Sequence, residues 1–141
     1  MKLHVNETGI KVRYAETDQM GVVYHSNYLI WFEVGRTEFI SSSGMSYSDM
    51  EKSNIMIPVI EVNCKYTGSA KYEDKIIVKT RIKELSPAKI IFEYNVLREC
   101  DGKIIVKGST AHVFVNKDFK IINMKKKHLE IWERLEKLSL E

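Results

Sequence analysis

Hydrophobic and polar positions alternate near the start of the chain. Ile10, Val12 and Tyr14 are separated by Lys11 and Arg13. A period of two residues is typical of a half-buried strand, because successive side chains of a strand point to opposite faces. The pattern therefore predicts the first strand of the protein at this position.

A long apolar segment follows from Asn27 to about Ser43. Its hydrophobic residues leave almost no polar face, so the pattern predicts a central, buried helix. Ser26 or Asn27 can cap the first turn, and Gly44 supplies the left-handed conformation that commonly ends a helix. The hydrophobic residues of this segment are Tyr28, Leu29, Ile30, Trp31, Phe32, Val34, Phe39 and Ile40.

Four further strands are predicted after a polar stretch between Ser46 and Asn54. Ile and Val dominate these strands, which is typical of sheet structure. Ser86-Pro87-Ala88 and Asp101-Gly102 are turn sequences, so we expect the strands that they join to be antiparallel. The four predicted strands cover about 57–66, 75–85, 89–98 and 103–115.

The end of the chain predicts a short amphipathic helix on the surface. From Lys126 onward, an apolar stripe recurs every three residues in charged sequence, at Leu129, Trp132, Leu135 and Leu138. No repeat or linker interrupts the order of elements, so we expect a single domain over residues 1–141. A curved five-stranded antiparallel sheet wrapped around the long helix would bury its apolar surface, which makes the predicted class α+β.

Composition excludes several classes of protein. The chain is 44% hydrophobic and 29% charged, an ordinary globular composition, and no run approaches the roughly 18 apolar residues that cross a bilayer. The polar N-terminus lacks the apolar region of an export signal, so we expect a cytoplasmic protein without an integral membrane segment. The net charge of +3 comes without a nucleic-acid-binding motif, so no nucleic-acid partner is expected. Cys64 and Cys100 lack metal-ligand spacing, so no metal site is expected either.

The candidate chemistry lies between the first strand and the long helix. Residues 16–28 concentrate carboxyl, imidazole and phenol side chains around Gly21. Unpaired N–H groups and the positive end of the helix dipole converge at a helix N-terminus, where they can stabilise an oxyanion. A nearby carboxylate can then act as a nucleophile or general base, and Asp18 is the candidate. The structural alternative is that Asp18 only stabilises the helix dipole.

The segment from Asp18 to Tyr28 resembles hotdog-fold thioesterases of the 4-hydroxybenzoyl-CoA thioesterase family and its YbgC-like branch, which is associated with Tol-Pal genes. The family pattern D-x-x-G-V-V-Y-H-x-N-Y is matched throughout, and a later Tyr-x-Asp motif occurs at Tyr72-Glu73-Asp74. The resemblance covers essentially the whole chain. It implies a hotdog fold and hydrolysis of acyl-CoA to free acid and coenzyme A. No cofactor is implied, because coenzyme A is part of the substrate and product.

The resemblance also implies roles for residues. Asp18 would attack the thioester carbonyl or activate water, while a backbone N–H near His25 polarises the carbonyl oxygen. The His25 side chain either carries a proton to the leaving thiolate or only hydrogen-bonds near the helix start. Tyr24 is either a packed core ring or part of the acyl pocket. Asn27 is either only a helix cap or also a residue that orients Asp18. The full set of substrate-binding candidates is Gly21, Val22, Val23, Tyr24, Asn27, Lys89 and Lys120.

The two lysines and the acyl specificity depend on the closer comparison with hydroxybenzoyl enzymes. Lys89 and Lys120 fall where those enzymes bring basic side chains to the nucleotide phosphates, although solvated lysines are common in loops. Those enzymes carry Tyr and Pro in place of His25 and Ser26, so a short-chain or broad acyl specificity is expected instead. By the same resemblance, the chain would form a homodimer or homotetramer with sites at the interface.

Three alternative functions remain open. The first is a hotdog domain that binds acyl-CoA without hydrolysing it, and the intact Asp18 argues against this possibility. The second is a thioesterase that acts on acyl-carrier protein. The third is a hotdog dehydratase, which needs a catalytic His paired with an acidic residue in another context, so Asp18-x-x-Gly21 fits hydrolysis better.

Overall fold

The computed structural model describes residues 4–140. Five strands, four α-helices and one short 3-10 turn make up this part of the chain. The strands are β1 (Asn6–Lys11), β2 (Val59–Tyr66), β3 (Lys75–Ser86), β4 (Lys89–Arg98) and β5 (Ile104–Val113), and the helices are α1 (Asn27–Ser41), α2 (Tyr47–Lys52), α3 (Met124–Lys127) and α4 (Leu129–Leu140). The strands form one antiparallel sheet in the order β1-β3-β4-β5-β2. The α+β hotdog prediction is confirmed.

The two predicted hairpins are confirmed. Ser86 pairs with Lys89 across the β3–β4 turn, so Pro87 and Ala88 form a two-residue loop. The β4–β5 turn contains Gly102 at φ 66°, a left-handed conformation that glycine adopts without strain. These short connections explain why β3, β4 and β5 are consecutive in the sheet.

Helix α1 packs one face against the sheet. The ring of Phe32 stacks on that of Tyr94 in β4 with centroids 4.3 Å apart. On the opposite face, Leu29, Ile30 and Val34 remain 38%, 53% and 36% exposed. The prediction of an all-round buried helix is therefore wrong for the single chain, because the sheet covers only one side of it.

Two boundaries differ from those predicted. Strand β1 lies earlier than expected, since the chain leaves the sheet after Lys11 and forms a 3-10 turn over Tyr14–Glu16. Tyr14 is therefore 75% exposed rather than on the buried face of a strand. Helix α2 lies in the polar stretch between Ser46 and Asn54, for which the sequence pattern predicts no element. Ser46 caps it, because its side chain accepts from Asp49 N at 3.1 Å and its N–H donates to Asp49 Oδ2 at 3.1 Å.

The terminal helical region confirms the predicted apolar stripe at Trp132, Leu135 and Leu138, but the prediction is wrong for Leu129, which is 53% exposed at the first position of α4. Trp132 and Leu135 of α4 are buried, while charged residues cover the outer side. A break at His128 separates α4 from the single turn of α3. Among the residues described, no helix has both the length and the hydrophobicity needed to cross a membrane.

Candidate active site

A tight loop at Asp18 connects the 3-10 turn to α1. Asp18 N donates to Val22 O at 2.9 Å, and Gly21 N donates to Asp18 O at 3.0 Å. Thr17 and Val23 pair as an isolated bridge on either side of this turn. Gly21 has φ 79°, so its place in the motif is explained by the left-handed residue that the turn requires.

The Asp18 carboxylate is fixed through only one of its oxygens. Oδ1 accepts a hydrogen bond from Met20 N at 2.8 Å, which closes a local side-chain turn. Among residues 4–140, no group hydrogen-bonds Oδ2. The side chain is half-buried. A carboxylate that is held by one oxygen and free at the other has the geometry of a nucleophile or general base.

The chain enters α1 through a turn, without a side-chain cap. Asn27 N donates to Tyr24 O at 2.9 Å and Tyr28 N to His25 O at 3.4 Å. Ser26 has helical angles (φ −68°, ψ −21°) and makes no capping bond, so the predicted cap at Ser26 or Asn27 is wrong. Within the described part of the chain, the His25 and Ser26 N–H groups have no hydrogen-bond acceptor. These two free donors lie at the positive end of the helix dipole, where an oxyanion is stabilised.

The His25 peptide is fixed by β2, while its ring is open to solvent. Tyr66, at the end of β2, donates its hydroxyl to His25 O at 2.9 Å. Desolvation raises the pKa of Tyr66 to about 12, so the hydroxyl remains a donor at physiological pH. The Tyr66 and His25 rings meet edge to face with centroids 6.3 Å apart. Sequence reasoning missed Tyr66, because a strand residue gives no signal that it will meet a helix 41 positions away.

Glu16 is a second residue that sequence reasoning did not single out. It is only 5% exposed. Oε1 accepts from Arg13 N at 2.8 Å and Oε2 from Trp31 Nε1 at 2.8 Å. Burial raises the pKa of the Glu16 carboxyl, but the hydrogen bonds from Arg13 and Trp31 outweigh burial and hold the pKa below its usual value. The carboxylate is therefore charged at neutral pH.

The other motif residues surround the same loop. Val23 is buried, and its N–H donates to Ala70 O at 2.9 Å. Val22 pairs with Lys71 as an isolated bridge. Tyr24 is 47% exposed, so its reading as a core ring is wrong. Asn27 donates its side-chain amide to Glu16 O at 2.8 Å, which orients the loop.

Lys89 and Lys120 lie away from Asp18 within one chain. The start of β3 lies near the Asp18 loop, since Val22 of this loop pairs with Lys71, four residues before β3 begins. Lys89 lies near the far end of β3, a strand of 12 residues that extends roughly 36 Å. Lys120 lies in the turn after β5, where its N–H donates to Asn116 Oδ1 at 3.1 Å. One chain alone does not bring these lysines to the candidate site.

The expectation of no metal site remains a prediction. Over residues 4–140, no group of three or more His, Cys, Asp and Glu side chains is arranged to hold a metal ion.

Comparison with known proteins gives a family match over most of the chain. A family model described as the thioesterase-like superfamily matches residues 12–130. YneP of Bacillus subtilis (strain 168), provisionally named an acyl-CoA thioesterase, is 42% identical over 125 residues, which cover 88% of this chain and 90% of YneP. YbgC of Haemophilus influenzae, named an acyl-CoA thioesterase, is 33% identical over 90 residues, which cover 63% of this chain and 66% of YbgC.

A solved structure extends the similarity to three dimensions. A DHNA-CoA thioesterase from Staphylococcus aureus superposes with a TM-score of 0.91 at 39% identity, covering 96% of this chain and 91% of that chain. The region matched by the family model contains the whole motif from Asp18 to Tyr28. The fold and the candidate site therefore lie within the region of similarity.

Proposed function

The chain belongs to the thioesterase-like superfamily, and we propose from this premise that it hydrolyses acyl-CoA thioesters to a free acid and coenzyme A. One observation carries the proposal. Among the residues that the structure describes, one oxygen of the Asp18 carboxylate has no hydrogen-bond partner, and the His25 N–H at the start of α1 has no acceptor. A reacting carboxylate and an oxyanion donor are the two groups that acyl transfer requires.

In the proposed reaction, the thioester carbonyl oxygen accepts a hydrogen bond from His25 N–H. Asp18 Oδ2, or a water that it deprotonates, adds to the carbonyl carbon and moves an electron pair onto that oxygen. Collapse of this intermediate breaks the carbon–sulfur bond. Coenzyme A leaves as a thiolate that takes a proton, and in this proposal the exposed His25 side chain delivers that proton. Direct attack by Asp18 would form a mixed anhydride, which water then cleaves.

We assign the oxyanion to His25 N–H, although Ser26 N–H also has no acceptor within residues 4–140. The hydroxybenzoyl enzymes that the motif resembles carry Pro at the position of Ser26, and proline has no N–H to donate. A donor shared with those enzymes must therefore be the preceding residue. The Tyr66 bond to His25 O supports the assignment, because it holds the backbone of His25 in place.

A homodimer formed through the edge of β2 is the second part of the proposal. Only β5 pairs with β2 among the described strands, so the other edge of β2 offers unpaired N–H and C=O groups. Val62 and Tyr66 lie on the α1 side of β2 and are exposed, as are Leu29 and Ile30 on α1. Exposed apolar surface next to an unpaired strand edge favours a second copy of the chain as the occupant. Two such dimers could form a tetramer.

The dimer would also decide the role of the two lysines. Lys89 and Lys120 are far from Asp18 in one chain, so they could reach the phosphates of coenzyme A only from a second copy. The substrate carries its own coenzyme A, and the proposed reaction uses no metal or other cofactor. The cytoplasm is the proposed location of the protein.

The acyl group is proposed to be short or of broad range. An aromatic acyl group is a second candidate, because the neighbour named as a DHNA-CoA thioesterase is 39% identical over 96% of this chain. Acyl-carrier protein is the alternative form of delivery.

A thiol-release assay tests these choices together. Short-chain, long-chain and aromatic acyl-CoA would be compared with the same acyl groups on acyl-carrier protein, with equilibrium binding measured in parallel. We expect thiol and free acid in equal amounts from coenzyme A substrates, with the highest kcat/KM for short chains. Binding of every acyl-CoA without thiol release would contradict hydrolysis and favour the binding domain.

A further inference from the structure

Glu16 is a charged carboxylate buried beside the candidate site, where the loss of hydration is energetically unfavourable. Burial of a carboxylate is unfavourable unless hydrogen bonds satisfy its oxygens. Glu16 meets this requirement with two donors, Arg13 N and Trp31 Nε1, each at 2.8 Å. Bonds to a charged acceptor are stronger than bonds to a neutral one, and the two donors hold different oxygens, so this arrangement fixes the side chain in one orientation.

The same residue is bonded to both sides of the reacting loop. Its carbonyl oxygen accepts from Tyr24 N at 2.8 Å and from Asn27 Nδ2 at 2.8 Å. Asp18 follows Glu16 by two residues, and His25 directly follows Tyr24. A shift of Glu16 would therefore move the carboxylate and the oxyanion donor relative to each other.

The buried indole provides the fixed point of this arrangement. Trp31 lies in the second turn of α1 and is 1% exposed, packed edge to face with Tyr28. The bond from Trp31 Nε1 connects Glu16 to the rigid core of the helix rather than to another part of the loop. Displacements on the order of 1 Å in a reacting group can reduce turnover about a hundredfold, so such an anchor matters for rate.

We propose that Glu16 is a positioning residue, which holds Asp18 and the His25 N–H in reacting geometry through its charge-assisted bond to Trp31. The inference rests on the hydrolysis proposed above and assigns Glu16 no contact with substrate. Gln at this position keeps the size but carries one oxygen and one NH₂ group, so it cannot accept from both donors. Glu16→Gln should therefore lose turnover while substrate binding survives.

The test is a comparison of kcat and KM for Glu16→Gln with a matched control. Glu93→Gln makes the same change in another carboxylate that bonds a fixed donor, Arg81 Nε at 2.9 Å, on two strands of the sheet away from the loop. We expect Glu16→Gln to lower kcat by about 10- to 100-fold with KM within about twofold, and Glu93→Gln to leave both unchanged. Circular dichroism would establish that both variants are folded.

A double-mutant cycle with Trp31→Phe separates positioning from general stability. Removal of Nε1 takes away the donor that Glu16 uses, so the double variant should lose little more kcat than the worse single variant. Independent, multiplied losses would overturn the proposal. If Glu16→Gln does not fold, Trp31→Phe decides alone, since normal turnover without Nε1 would also overturn it.

Asp18→Asn and the unmodified protein in the same assay distinguish a failure of the positioning role of Glu16 from a failure of the proposed hydrolysis. Normal kcat in Glu16→Gln with an inactive Asp18→Asn would overturn the positioning role and leave hydrolysis intact. Full activity in Asp18→Asn would overturn the catalytic role proposed for Asp18, whereas a lack of thiol release by the unmodified protein would overturn the proposed hydrolysis itself.

Discussion

The Thr110 hydroxyl lies 2.8 Å from Nε2 of His112 inside the core. Nδ1 of the same ring lies 3.1 Å from the Ile57 carbonyl, which can only accept, so Nδ1 carries the proton. Nε2 therefore accepts from Thr110, whose oxygen in turn accepts from the Tyr94 hydroxyl at 2.6 Å. This chain of buried hydrogen bonds requires a neutral His112.

Stability should consequently fall as pH is lowered from neutrality. Burial, aided by the charge of Arg36, lowers the pKa of His112 from 6.5 to about 4, against the opposing effect of the hydrogen bond that Nδ1–H donates to the Ile57 carbonyl. The unfolded chain binds a proton on this residue below about pH 6.5, whereas the folded protein does so only near pH 4. The contribution of His112 is thus complete above pH 6.5 and lost as pH falls to 4. At pH 5 the loss is about 2 kcal/mol.

Urea unfolding at pH 7.5 and pH 5 measures this loss. Both pH values lie above the range in which Glu16 would protonate in the folded protein, because its pKa is lowered from 4.5. His112→Gln should reduce the difference between the two pH values. Equal free energies of unfolding for the unmodified protein at both pH values would contradict a buried neutral His112.

Gly35 should be intolerant of a side chain. A Cβ atom there would lie 2.5 Å from Thr80 Oγ1 and 2.9 Å from Val78 Cγ1, both on β3. Gly35→Ala would push α1 away from the sheet and cost about 1–3 kcal/mol of unfolding free energy. Gly9→Ala is the control, because nothing lies within 4 Å of a Cβ at that position. Chemical denaturation that shows Gly35→Ala to be as stable as Gly9→Ala would refute this packing argument.

The proposed dimer predicts a specific sensitivity at the β2 edge. Val62→Lys would place a charge in the apolar surface between two copies, so light scattering should report a monomer with reduced turnover. Ile121→Lys is the matched control, since Ile121 is also exposed but lies beyond β5 at the far end of the sheet. Dimers that persist in Val62→Lys, or that dissociate in Ile121→Lys, would count against an interface at this edge.

The two residues at the helix start should respond differently to substitution. Ser26 has φ −68°, which proline also adopts. Ser26→Pro removes its N–H, so kcat should stay within a few-fold if His25 N–H holds the oxyanion. His25→Ala should lower kcat only moderately, because its backbone N–H remains. A loss of about a hundredfold in Ser26→Pro would move the oxyanion to the Ser26 N–H.

The sequence predicts elements with a clear period and misses those that depend on distant contacts. Helix α1 and the β3–β4 and β4–β5 hairpins were predictable because apolar spacing and turn residues act locally. Strand β1 was misplaced because Asn6–Gly9 is mostly polar, and only pairing with β3 makes it a strand. Burial of Glu16 could not be foreseen, since it depends on Trp31, 15 positions later.

The candidate site was predictable as a segment, although not in its geometry. The motif from Asp18 to Tyr28 marks the loop and the start of α1. Capping rules nevertheless failed at Ser26, because Glu16 O and Tyr24 O provide the bonds that order this entry. The free N–H groups that support the proposed reaction are visible only in the structure.

Asp18→Asn tests the central claim most directly. Asn keeps the size of the side chain and can still accept from Met20 N, but it lacks the negative charge needed for attack or proton abstraction. Asp101→Asn is a matched control, because Asp101 Oδ1 accepts from Lys103 N at 3.0 Å in the same local geometry, far along the chain in the β4–β5 turn. The decisive measurement is kcat for acyl-CoA hydrolysis by the two folded variants, with acyl-CoA affinity measured separately. We predict that Asp18→Asn loses about a hundredfold or more in kcat with affinity nearly unchanged, while Asp101→Asn remains active. Near-normal hydrolysis by a folded Asp18→Asn would contradict the account.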